Sequence, residues 1–134
     1  MPPTGKAPLP ASRIDFPVAV RGASSGFSVL VIGTLLSQLI LLLAPGSPVL
    51  VVVFAPYVLG SYVAARKVGN ATVPALHGIA ASVGAFLLTL PVLLLLMLNS
   101  QPVESISYLA TGLTLSIGIG AITGWMNSGR RREG

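Results

Sequence analysis

Acid–base or metal chemistry needs side chains that hold and release protons, and this sequence has few. It contains one histidine, His77, three carboxylates, Asp15, Glu104 and Glu133, and no cysteine. Without cysteine there are no disulfides, thiolate nucleophiles or thiolate metal ligands. The carboxylates are far apart in sequence and none lies inside a long apolar run. That spacing offers neither a paired acid and base nor a proton relay within a membrane. His77 alone cannot complete a bis-histidine haem site in one chain, and is read as an interfacial or capping residue. No serine–histidine pattern, Gly-rich phosphate loop or metal-ligand spacing is present. The expectation is a non-enzyme with no catalytic, cofactor-binding or metal-binding residues.

The remaining polar groups of interest sit inside apolar runs: Gln38 with its neighbour Ser37, Tyr57, Thr89 and Thr114. An amide in hydrocarbon needs hydrogen-bond partners, so Gln38 is predicted to face other helices and bond to one of this set. The set reads as helix–helix glue or as the lining of a polar pocket. Pro56 and Pro91 each remove one backbone hydrogen bond and lie at matching depth. They either frame a small cavity or accommodate packing.

The elements that carry these residues are membrane spans. Of 134 residues, 53% are hydrophobic and only 8% charged, with a mean hydropathy of +0.87. Soluble domains carry about 25% charged residues, so this composition cannot build a water-facing surface. From Gly22 to Ala65 there is no Asp, Glu, Lys, Arg or His. A crossing takes roughly 20 helical residues, so that stretch holds two crossings and a turn at Pro45-Gly46-Ser47-Pro48. Spans are expected at about 22–44, 49–65, 74–98 and 106–127. An irregular tail (1–16) precedes the membrane domain (17–128), and a basic tail (129–134) follows it. Asp15-Phe16-Pro17 looks like a helix start, with Asp15 near the N-cap. The first span is too long for a secretory signal core and three more follow, so it is expected to be retained.

Basic residues fall on one side of this pattern. Lys6, Arg13 and Arg21 precede the first span, Arg66 and Lys67 follow the second, and Arg130, Arg131 and Arg132 follow the fourth. The turns after spans one and three carry none. The positive-inside rule then predicts an all-α, four-helix transmembrane bundle of two hairpins, N-in and C-in, in the bacterial inner membrane. The net charge of +5 is read as attraction to lipid headgroups rather than to nucleic acid. Arg21, Arg66, Lys67, His77, Trp125 and Arg130 are placed at the headgroup level.

Gly112, Ser116, Gly120 and Gly124 repeat a small residue every fourth position, on one face of the last span. Such a ridge lets another backbone come close, within the chain or in a partner. Gly22 and Gly26 make a weaker pair at the membrane edge. Parallels between the hairpins suggest a repeat, Arg21-Gly22 matching His77-Gly78, and Gly60 with Ala64 matching Gly120 with Gly124. Such hairpins would be related by an axis along the membrane normal.

Gly60-Ser61-Tyr62-Val63-Ala64-Ala65-Arg66, followed by Ala75-Leu76-His77-Gly78, resembles a junction recurring in uncharacterised small four-span bacterial membrane proteins. There a Gly-x-Tyr-x-Ala-x-Arg stretch ends span two and Leu-His-Gly opens span three. Ile14-Asp15-Phe16 and Val20-Arg21-Gly22 are also similar to theirs. The resemblance implies the four-span topology and no known activity. It further implies that Gly60 and Gly78 let their two helices approach. The functional expectation is an accessory or interaction subunit, docking to a membrane-protein partner or to itself within the lipid bilayer. A small channel or transporter is the alternative.

Overall fold

The computed structural model describes residues 15–68, 73–98 and 102–129. Pro17 in the first turn and Asp15 at the N-cap start α1 (Phe16–Leu43), although the Asp15 side chain makes no capping bond. The backbone turns at Ala44–Ser47, where the Ser47 amide donates to the Ala44 carbonyl at 3.0 Å, and α2 (Val49–Arg66) runs back. The second hairpin pairs α3 (Pro74–Leu96) with α4 (Pro102–Gly129). α1 starts at the expected Asp15-Phe16-Pro17 signal, about one and a half turns before the apolar span that begins near Gly22. α4 starts at Pro102 rather than near Ile106, with Glu104 in its first turn. A carboxylate there interacts favourably with the positive end of the helix dipole.

All four helices are long and apolar enough to cross a membrane. Their outward faces are leucine, isoleucine and valine: Ile32, Leu42, Leu50, Leu88, Leu95 and Ile106 all lie exposed. Only a hydrocarbon solvent accommodates such a surface. The protein is a multi-pass membrane protein built as an all-α, four-helix bundle. The end bearing both termini and the α2–α3 link is called the terminal end below, and the opposite end the hairpin end.

α1 packs on α2 and α3, and α4 packs on α3 and α2. α2 and α3 touch across the middle, whereas α1 and α4 do not approach each other. The section is a rhombus with α2–α3 as its short diagonal. An axis along the normal relating the hairpins would set α1 opposite α3. They are adjacent instead, so the expected repeat symmetry is absent from the packing.

Two seams of small residues bring the helices together. Gly112, Ser116, Gly120 and Gly124 are all buried, and the lower part of this ridge faces α3. A Cβ at Gly120 would stand 2.7 Å from the Gly78 carbonyl oxygen; one at Gly124 would strike the Pro74 carbonyl. The ridge is thus occupied within the chain. The second seam joins α1 to α2 and α3. A Cβ at Gly26 would lie 2.6 Å from Ala64 Cβ and 2.9 Å from Ala85 Cβ, and one at Gly22 would lie 2.6 Å from the Ala64 carbonyl oxygen. The Gly22–Gly26 pair, read as weak from sequence, is therefore a central contact. Gly60 does not meet Gly78. It faces Leu30 and Gly26 on α1, while Gly78 faces Gly120 and Gly124 on α4.

Gly118, on the opposite face of α4, would give a Cβ open space. Gly120→Ala is expected to cost about 1–3 kcal/mol by overpacking, and Gly118→Ala to cost nothing measurable. Reversible unfolding of both variants in bicelles checks this; equal stability would remove the seam from the account.

Candidate functional site

Two places where the helix backbone lacks a partner organise the polar side chains. Pro56, inside α2, has no N–H, so the Val52 carbonyl four residues earlier loses its usual donor. Ser37 of α1 supplies one. Its Oγ lies 2.7 Å from the Val52 oxygen and 2.9 Å from its own Gly33 oxygen. Gly33 also admits the proline ring, since a Cβ there would stand 2.9 Å from Pro56 Cβ. Pro91 is exposed while Pro56 is buried, so the two prolines do not frame a common cavity.

Gln38 does not take the bridging role expected of it. The residue is exposed, because it stands one position, about 100° of helical turn, from Ser37. Thr114 is exposed too, its hydroxyl donating to its own Ala110 carbonyl at 2.8 Å. Thr89 is buried but donates within α3, to Ala85 at 2.8 Å. Tyr57 is fully buried in an aromatic cluster, its ring 5.7 Å from that of Tyr108 and 6.1 Å from that of Phe86. Ser82 also bonds between helices, donating to the Ser61 carbonyl at 3.0 Å.

His77 is the second organising group and it is buried between helices, at 1% exposure. Its Nε2 accepts the Asp15 backbone N–H at 2.8 Å, and its Nδ1 lies 2.9 Å from the Val73 carbonyl oxygen. An acceptor at Nε2 and a donor at Nδ1 define one neutral tautomer. The imidazole therefore caps α1 from α3. Both ring nitrogens are engaged, which leaves none to ligate a metal. Among the described residues no three His, Asp or Glu side chains come together.

At the terminal end Arg21, Arg66 and Lys67 are exposed, with the Arg66 guanidinium carbon 6.0 Å from the Tyr62 ring centroid. Trp125 is 71% exposed. These positions suit headgroup contact. Arg130 lies outside the described residues, as do both terminal tails. At the hairpin end a cavity of about 180 Å³ is lined from all four helices, by Thr34 and Gln38, Val53, Leu93 and Met97, and Tyr108 among others. Thr34 had no part in the sequence reading, since one threonine in an apolar run carries no signal.

Comparison with known protein families, curated proteins and solved structures finds no match for the chain. The class defined by the fold is a four-helix, multi-pass membrane protein.

Ser37→Ala is expected to lower stability by about 1 kcal/mol. In a Pro56→Ala background residue 56 regains its N–H, so the penalty should shrink toward zero. A double-mutant cycle in bicelles measures the coupling; the same penalty in both backgrounds would refute the Ser37–Val52 bond.

Proposed function

We propose that the chain is a non-enzymatic membrane module that acts by association, with a second copy of itself as its partner. The outward face of α4 carries this reading. Ser107, Thr111, Thr114 and Gly118 lie exposed there, spaced four, three and four residues apart. That spacing keeps them on one face and suits the shallow crossing of paired membrane helices. Thr111 and Thr114 already donate to their own backbone at 2.8 Å. The face thus presents short side chains whose hydrogen bonding is already met. α4 has only α2 and α3 as neighbours in the bundle, which leaves this face to lipid or a partner. A two-fold axis along the bundle would set like residues opposite one another, an isologous contact. An accessory role beside a different membrane protein would use the same face.

The setting belongs to the same proposal: a bacterial cytoplasmic membrane, with both termini inside and no nucleic acid bound. Support comes from Arg21, Arg66 and Lys67 at the terminal end, against Glu104 at the other. The likeness to small four-span bacterial proteins is consistent with it. A second reading, a small channel or carrier, is favoured by the hairpin-end cavity. Towards the terminal end, Leu30, Tyr57, Ala85 and Phe86 form a packed layer.

The chain has no native cysteine, so single cysteines report contacts cleanly. Thr111→Cys in native membranes should give an oxidative dimer, and Leu87→Cys, on the outward face of α3, should not. Cross-linking to a different protein would shift the reading to an accessory subunit. A strictly monomeric Thr111→Cys variant with no cross-linked product would sink it.

A further inference from the structure

We infer that the hairpin end binds a small organic cation, a protonated amine on a compact apolar body. The inference develops the cavity behind the second reading above and does not depend on association through α4. Its starting point is Thr34. The buried Ser61 hydroxyl also lacks a partner, but many of the described helical hydroxyls return to the carbonyl four residues back, as Ser28, Thr89, Thr111, Thr114 and Ser116 do. Thr34 does not. It is 3% exposed, and its Oγ1 has no hydrogen-bond partner among the described residues. Leaving a buried hydroxyl unpaired is unfavourable, so a guest that supplies a donor gains by pairing it. The Thr34 hydroxyl borders the cavity, with the Gln38 amide beside it on α1 and Tyr108 lining it from α4.

The surroundings select the sign of charge. A second hollow of about 180 Å³, lined by Met97, Glu104, Ser105 and Tyr108, shares Met97 and Tyr108 with the first. Glu104 is the one carboxylate among the described residues at this end, and every described Lys and Arg lies at the other. A negative charge at the mouth of an apolar hollow attracts cations and raises their local concentration. Tyr108 stacks on Phe54, with centroids 5.5 Å apart, and meets Tyr57 edge-on. Aromatic faces so held attract an ammonium group. Leu93 and Met97 supply apolar contact for a hydrocarbon body. An ammonium can donate to Thr34 Oγ1 and the Gln38 carbonyl, with the Glu104 carboxylate of the adjoining hollow attracting its charge. Each hollow matches the volume of about six water molecules, which limits the guest to a monoamine with a short alkyl or aryl body.

The probe is phenethylammonium, added to the full chain in phosphatidylcholine nanodiscs that hold one copy each. Saturable thermal stabilisation is expected, with the neutral analogue 3-phenylpropanol at least tenfold weaker. Glu104→Gln should weaken phenethylammonium about tenfold and leave the analogue unchanged. Thr34→Val keeps the side-chain shape and removes the hydroxyl. It should raise the melting temperature of the protein alone and shrink the shift caused by the amine. Non-saturating stabilisation, equal affinity for amine and alcohol, or unchanged binding in both variants would each overturn the site. Single copies are measured, so such a failure leaves the Thr111→Cys result untouched.

Discussion

In a bilayer the medium around the bundle is as apolar as the leucines within it, so burial does little to press helices together. Close contact must do that, and close contact requires backbones to meet. Gly22 and Gly26 lie against Gly60, Ala64, Ala81 and Ala85; Gly120 and Gly124 lie against Gly78, Pro74 and Ala75. Side chains larger than methyl are largely excluded from these seams. The large buried residues Leu30, Tyr57 and Phe86 gather at mid-bundle, with Leu93 nearer the hairpin end. The cavity lies beyond them, at the hairpin end. Tight approach towards one end and aromatic filling at mid-bundle are two parts of one arrangement.

Backbone groups that helix geometry leaves unpaired are answered by side chains from a neighbouring helix. The Val52 carbonyl, orphaned by Pro56, receives the Ser37 hydroxyl, and the Asp15 amide at the start of α1 is received by His77. Within hydrocarbon the Val52 carbonyl has no water to fall back on. Both bonds involve α1, one toward each end, and they bind it to different partners, α2 and α3. α1 is thereby held in register along most of its length, although it never touches α4.

Much of the architecture was legible in the residues. The uncharged stretch from Gly22 to Ala65, the Pro45–Pro48 turn and the placement of Arg66 and Lys67 define two crossings and their connection. The α4 ridge announced a close contact, though not its partner. What could not be read was which way each span faces. A helix in lipid is apolar all round, so it shows no stripe to separate inside from outside. Ser37 and Gln38 therefore looked equally suited to face inward, and the amide was the worse choice. The better guide was Pro56, which announces an orphaned carbonyl, together with a small hydroxyl on the preceding helix. Gly22–Gly26 was undervalued for lying near the membrane edge, although Gly60–Ala64 and Ala81–Ala85 share its four-residue spacing. Thr34 had no sequence signature because its distinction is a missing local bond.

The separation of charge between the two ends has a mechanical consequence. Turning the bundle over would drag Arg21, Arg66 and Lys67 through hydrocarbon, at several kcal/mol for each ion. Across a polarised membrane each transferred charge is worth a further 2.3 kcal/mol or so per 100 mV. The molecule therefore cannot capsize once inserted. Whichever way the bundle faces, its charged end stays at the bilayer surface where it first comes to rest.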